Sequence, residues 1–432
     1  DKALAAARRF TGGQLNIKAR MTRSQHHWIP SAAEKKSMMD FTKAMVAAQS
    51  KGYMAPMKAV EAIDKGLSYD IDKDLEREVA LFADCAVSDV AENLIGIFLN
   101  TRAAGRLERI EGIEPAGIRK VAMLGGGVMG SGIVNLLLKS GCEAILWDIS
   151  EAAIEKGVAS VRKTFAFPIK KRKMKQADLE SMLEKQLRTT TELKDLDGVD
   201  LVIEAVVEDM DIKQNIWKTL EGICPSHTVF ATNTSALPIT EMASALSEPG
   251  RMIGLHFFNP AHRMMLLEII CAEQTSNQTL ATSVAFGRQI KKIPIVVNDG
   301  PGFYVSRQLG GLMGGAVYLT ADGVDGSAVE QAMLNFGMPM GPATLSDLTG
   351  IDINYHVNKT FEKRLGERYK VHPLTKLVYK TGCYGRKTGA GYMDYGGDTP
   401  VPNPKVTDVV KKYLADNGVE PKTVAEQEII DL

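Results

Sequence analysis

The stretch Lys120–Asp148, KVAMLGGGVMGSGIVNLLLKSGCEAILWD, constrains the fold more than any other part of the chain. A short apolar run, Val121 to Leu124, suits a buried parallel strand. Gly125, Gly127 and Gly130 follow in G-x-G-x-x-G spacing. Next come an apolar, helix-compatible segment broken at Gly141 and a second strand-like run, Ala144 to Trp147, ending in Asp148. Each part has a physical task. Gly125 permits the tight turn, Gly127 lets backbone approach a pyrophosphate, and Gly130 lets the helix pack closely on the strand. The helix N-terminus offers free N–H groups and a positive dipole end to phosphates. Asp148 stands 18 residues beyond Gly130, near the place where an acid binds a ribose 2′-hydroxyl. Ile149, Ser150 and Glu151 supply no arginine for a 2′-phosphate, so NAD is expected rather than NADP.

A chain of 432 residues has room for two to four domains. Lys plus Arg and Asp plus Glu both total 52, a balance that argues against nucleic acid or an acidic membrane surface as the main partner. Cys85, Cys142, Cys224, Cys271 and Cys383 are scattered without a C-x-x-C pair, which fits a reducing compartment. No apolar run is long enough to span a bilayer, so no stable membrane insertion is expected. Both ends look cut, since the chain starts at Asp1 and stops at IIDL within a helix-like segment.

Residues 1–117 read as a helical connector. Ser31-x-x-Glu34 forms a capping box before a long helix that Gly52 would close. Further helices are expected from Pro56 to Lys65 and from Asp70 on, with Leu75, Val79, Leu81, Phe82, Leu94, Ile97 and Phe98 at helical spacing. His26 and His27 are adjacent and would not face one metal together on a helix, and no metal site is expected. Residues 118–298 alternate strand and helix, which implies a Rossmann-type, doubly wound α/β sheet. Expected strands are Val121–Leu124, Ala144–Trp147, Asp200–Val206, Thr228–Thr232, Met252–Phe257, Met265–Ile270 and Ile293–Val297. The basic knot Lys170-Lys171-Arg172-Lys173 reads either as a solvated face or as a landing place for a phosphate-bearing substrate handle. Residues 299–395 look all-helical, and residues 396–432 form a linker and the start of a further helical region.

In Arg251–Ile270, RMIGLHFFNPAHRMMLLEII, two apolar strands flank a turn-rich bridge. Folded as a hairpin about position 262, facing residues have indices that sum to 524, and His256 and Glu268 satisfy that sum. Facing side chains share one side of the sheet, close enough for imidazole to meet carboxylate. Such a carboxylate fixes the tautomer and raises the basicity of a general base for alcohol oxidation. The blander reading is a histidine satisfied in a half-buried sheet. Ser235, in TNTSALPIT, lies beyond a parallel strand's carboxyl end, where it either donates to a substrate oxygen or caps the next helix. Glu208 and Lys213 follow another strand end and read locally as an exposed ion pair on a helix N-terminus.

Taken together, LGGGVMGSGI, DLVIEAVVEDMDIK, FATNTSALPI, GLHFFNPA, LLEII, DGPGFYVSR, FGMPMGPATLSDLTGID and GRKTGAGYMDY resemble, in order, the L-3-hydroxyacyl-CoA dehydrogenases. The likeness is to the dehydrogenase part of multifunctional fatty-acid β-oxidation chains, alpha chains of the trifunctional type. The resemblance implies that the chain oxidises L-3-hydroxyacyl-CoA to 3-ketoacyl-CoA with NAD, His256 acting as base beside Glu268. It implies that Ser235 contacts the substrate hydroxyl. It places Glu208, Lys213, Asn259 and Lys387 with Gly125, Gly127, Gly130 and Asp148 around NAD. Single-function relatives carry a catalytic asparagine where this chain has Ser306, a shorter donor. Also implied are closure of the helical domain near Asp299–Gly302, a homodimer, and a bacterial cytoplasmic setting, with mitochondria or peroxisomes as alternatives. The full-length parent would add an enoyl-CoA hydratase domain, absent here, and a thiolase subunit. Rival readings are an assembly module whose dehydrogenase has decayed, or another NAD-dependent hydroxy-acid dehydrogenase.

Overall fold

The computed structural model describes residues 31–50, 52–66 and 70–432; His26 and His27 lie outside them. The chain divides into two compact units, residues 1–102 and 103–432. The described part of the first unit is helical. Helix α1 (Ala32–Gln49) starts at Ser31, whose hydroxyl accepts from Glu34 N while Glu34 Oε2 accepts from Ser31 N at 2.9 Å, a reciprocal capping box. Helix α2 is Met54–Gly66, and α3 (Ile71–Ala86) is capped by Asp70. The run expected to reach Phe98 in one piece breaks at Ser88, whose hydroxyl donates to Cys85 O and accepts from Ala91 N, and α4 (Asp89–Ala103) starts anew. Its periodic apolar residues are not a core: Val79, Phe82, Ile97 and Phe98 are exposed, and no residue of α4 is buried.

The second unit is built on one sheet. Its strands are β1 (Lys120–Leu124), β2 (Glu143–Trp147), β3 (Leu187–Thr190), β4 (Leu201–Glu204), β5 (Val229–Thr232), β6 (Met252–Phe257), β7 (Leu266–Cys271) and β8 (Ile293–Asn298). They lie in the order β3-β2-β1-β4-β5-β6-β7-β8. All neighbours are parallel except β6 and β7. Seven strands match the expected runs within a few residues. Leu187–Thr190 was not among the expected strands: an edge strand pairing only with β2 and half exposed, it carries too little apolar pattern to be read from sequence.

Helices cover both faces, as parallel strands require. On one face α5 (Val128–Lys139), α6 (Glu151–Thr164), α8 (Gln176–Gln186) and α11 (Asn277–Gln289) pack Ile133, Val161, Leu179 and Leu280 against Val121, Met123 and Leu255. A short α7 (Ala166–Lys170) links α6 to α8. On the other, α9 (Met210–Glu221) and α10 (Ile239–Ala243) bring Trp217, Leu220 and Ile239 onto Ala122, Leu124 and Phe230. The chain then enters a helical region: α12 (Val305–Ala321), α13 (Gly326–Phe336), α14 (Pro342–Thr349), α15 (Ile351–Leu365), α16 (Pro373–Tyr379), α17 (Pro404–Asp416) and α18 (Glu426–Asp431). Residues 299–395, expected to be all-helical, also contain β9 (Met393–Asp394), which pairs as a small ribbon with β10 (Val401–Pro402) in the stretch expected to be a linker. Buried Asp347 explains the ribbon's place: its carboxylate accepts from Tyr392 N, Met393 N and Tyr395 Oη. Burial pushes that carboxyl group's pKa upward.

Candidate active site

Strand order reverses between β1 and β4, so a crevice opens outside their carboxyl ends, where open sheets take ligands. The glycine turn sits there. Gly125 has φ +96°, and a Cβ on it would stand 2.7 Å from Ala205 O. A Cβ on Gly130 would strike Gly125 O at 1.8 Å, so helix and turn approach as only glycine allows. Gly127 begins α5 with no side-chain cap, which leaves the helix's first N–H groups to a ligand. Asp148 accepts from Gly126 N at 2.8 Å and Ile149 N at 2.8 Å, which ties the acid after β2 to the turn after β1. Turn, uncapped helix and acid together fit the diphosphate and ribose of a dinucleotide.

Across the sheet, His256 pairs with Glu268 in the antiparallel register, and every pair of that ladder sums to 524. Glu268 is fully buried, and its Oε2 lies 2.7 Å from His256 Nδ1. Its Oε1 accepts from Tyr304 N at 3.1 Å and Val305 N at 2.9 Å, at the start of α12. The carboxylate meets Nδ1, and the other ring nitrogen, Nε2, faces Ser235 Oγ at 3.1 Å. The rings of Phe258 and Phe303 flank the imidazole at 4.6 and 5.7 Å between centroids. Only 5 % of His256 remains exposed.

A second polar cluster supports Ser235. Buried Lys213 reaches Glu204 Oε1 at 2.6 Å and Glu208 Oε2 at 3.3 Å. Glu204 Oε1 also accepts from Val206 N at 2.7 Å, and its Oε2 accepts from Thr232 Oγ1 at 2.7 Å. Glu208 accepts from the Thr234 hydroxyl and from Ser235 N at 3.3 Å. Lys213 is thus committed to two carboxylates rather than open to solvent. Asn259 is exposed in the turn after β6, and Ser306 is half-buried in the first turn of α12. Lys387 meets Asp352 at 2.6 Å and the Tyr384 ring, so its contacts belong to the helical region.

Sequence reasoning missed several members of this arrangement. Glu204 left a signal, a lone charge inside the apolar run LVIEAVV. Asn233, whose Oδ1 accepts from Phe257 N at 2.8 Å, left none, because a loop amide beside a strand has many uses. Asp299 accepts from Ile239 N and Thr240 N and so anchors α10 to the end of β8. The basic knot Lys170–Lys173 runs from the last residue of α7 into the turn that follows, with Arg172 at φ +54°. Among the described residues no helix is long and apolar enough to cross a membrane.

Two family models match in tandem: the 3-hydroxyacyl-CoA dehydrogenase NAD binding domain over residues 120–300 and the 3-hydroxyacyl-CoA dehydrogenase C-terminal domain over residues 302–395. The fatty acid oxidation complex subunit alpha of Shewanella baltica is 36 % identical over 398 residues, 90 % of this chain and 56 % of that protein. The same subunit of Shewanella loihica is 38 % identical over 368 residues, 85 % of this chain and 50 % of that one. The chain therefore spans about half the length of these relatives. Among solved structures, (S)-3-hydroxybutyryl-CoA dehydrogenase from Ralstonia eutropha superposes with a TM-score of 0.62 at 36 % identity, covering 65 % of this chain and all of that one. A 3-hydroxybutyryl-CoA dehydrogenase from Escherichia coli gives 0.62 at 28 % identity, over 66 % of this chain and 61 % of that one.

Proposed function

The chain belongs to the 3-hydroxyacyl-CoA dehydrogenase family, and from that premise we propose that it oxidises the 3-hydroxyl of an L-3-hydroxyacyl-CoA to a ketone, using NAD. The observation that carries the reading is the buried His256–Glu268 pair at 2.7 Å with Ser235 on the other ring nitrogen. His256 Nε2 takes the hydroxyl proton, while Glu268 holds Nδ1–H and stabilises the imidazolium that forms. Ser235 orients the substrate oxygen toward Nε2, and Ser306 adds a second donor from α12. Bound NAD supplies the hydride acceptor. Gly125, Gly127, Gly130, Asp148, Glu208 and Asn259 hold it, with Lys213 acting through Glu208 and Lys387 from the helical side. Phe258 and Phe303 exclude water from the imidazole.

The functional division follows the sequence reading: a connector over 1–117, the cofactor domain over 118–298, the helical dehydrogenase domain over 299–395, and a further region over 396–432. In the longer parent, an enoyl-CoA hydratase domain, a thiolase partner and a homodimer complete a fatty-acid oxidation complex, in keeping with the name of the Shewanella relatives. The test is reduction of acetoacetyl-CoA by NADH, read as loss of NADH absorbance. Thioester-dependent consumption with NADPH much the poorer donor is the expected result. No turnover with either donor would instead favour a decayed assembly module.

A further inference from the structure

Lys292, the residue before β8, is 7 % exposed, and its ammonium does not meet a carboxylate among the described residues. It donates to two backbone carbonyls of the turn between β6 and β7: Ala261 O at 2.5 Å and Met264 O. Inside that turn, Arg263 N and Met264 N both go to Pro260 O, so the lysine serves carbonyls that the turn does not serve itself. Burying an ammonium costs free energy, and an apolar side chain of similar volume would fill the space more cheaply. Burial alone pushes the Lys292 pKa down to about 8. The preceding Lys291, at φ +61°, is the left-handed residue that ends α11, where Lys292 N donates to Gly287 O at 2.8 Å and so fixes the backbone from which the Lys292 side chain departs. The burial cost is accepted at one place, where the ammonium is aimed at one turn.

The other side of the turn meets the cofactor helix. A Cβ on Gly132 in α5 would stand 3.1 Å from Ala261 Cβ and 3.5 Å from Ala261 N. The turn is therefore held between the second turn of α5 and Lys292. Asn259 stands at its exposed end, three residues after His256.

We propose that Lys292 is a positioning residue for the cofactor, pinning the β6–β7 turn against α5 so that Asn259 keeps its place beside NAD. The claim rests on the cofactor role given to Asn259 above. It differs from a mere packing role in what it moves: coenzyme affinity, and neither thioester affinity nor the proton transfer at His256.

The experiment compares Lys292→Met, Asn259→Ala and the double variant, with NADH dissociation constants from fluorescence titration and KM for acetoacetyl-CoA. Lys292→Met is expected to weaken NADH by about tenfold, or about 1.4 kcal/mol, with the thioester KM within about twofold. The double variant is expected to bind NADH no worse than Asn259→Ala alone, because the two act through one contact. Unchanged NADH affinity, equal loss for both substrates, or additive losses in the double variant would each overturn the proposal. Should Lys292→Met not fold, Lys292→Gln keeps one donor and should show the same split at smaller size; no split there overturns the proposal equally. Asn259→Ala without effect, beside a split in Lys292→Met, would likewise overturn the proposal, and it would remove the cofactor role of Asn259 without touching that of the glycine turn.

Discussion

Two fully buried glutamates stand in the same sheet, Glu204 ending β4 and Glu268 within β7, and they serve opposite ends. Each accepts from three donors and each has a cationic or basic partner: Lys213 for Glu204, His256 for Glu268. The lysine has only donors, and all its reach is taken up by Glu204 and Glu208. The imidazole has a second nitrogen on the far side of the ring, left to Ser235 and the crevice. A carboxylate on a lysine makes a fixed strut. The same carboxylate on a histidine makes a proton carrier, because one ring nitrogen can be clamped while the other works.

The sharpest way to break this contrast is at the two bases. His256→Ala should lower kcat by about 10²–10⁴, the range of a lost general base, with NADH affinity nearly unchanged. A kcat within about twofold of wild type would end the assignment. Lys213→Met should show the reverse, costing about 3–5 kcal/mol of stability because Glu204 is left buried without its partner. Denaturant unfolding measures it, and adding Glu204→Met should recover most of the loss. If Lys213→Met instead left stability intact, the strut reading would be wrong. The smallest effect belongs to Ser306, next to the Val305 amide that Glu268 holds. Ser306→Asn should raise kcat by up to about fivefold, the worth of one better hydrogen bond; a fall would show the hydroxyl to be the better donor here.

Much of this was legible in the chain. The glycine spacing with Asp148, and the index sum that joins His256 to Glu268, are local or nearly local patterns fixed by turn geometry and by the pleat of a hairpin. What was not legible depends on long-range company. Glu204 and Lys213 sit nine residues apart, yet their joint burial is set by Thr232 on the next strand. Lys292 reads as one more surface lysine until the turn 30 residues upstream closes over it. Leu187–Thr190 joins the sheet because β2 has a free edge, not because four half-exposed residues demand a strand. The exposed apolar residues of α3 and α4 carry helical period without a core to face, so periodicity there identified the helices but not their burial.

Glu268 spends one oxygen on the imidazole and the other on the first two amides of α12. The helical region and the base are therefore interlocked through a single carboxyl group. Were α12 to swing away from the sheet, that group would lose two donors at once and its grip on the ring would slacken. On the mechanism proposed above, proton abstraction would be geared to the docking of the helices, and an undocked molecule would be a poor catalyst whatever it had bound at the glycine turn.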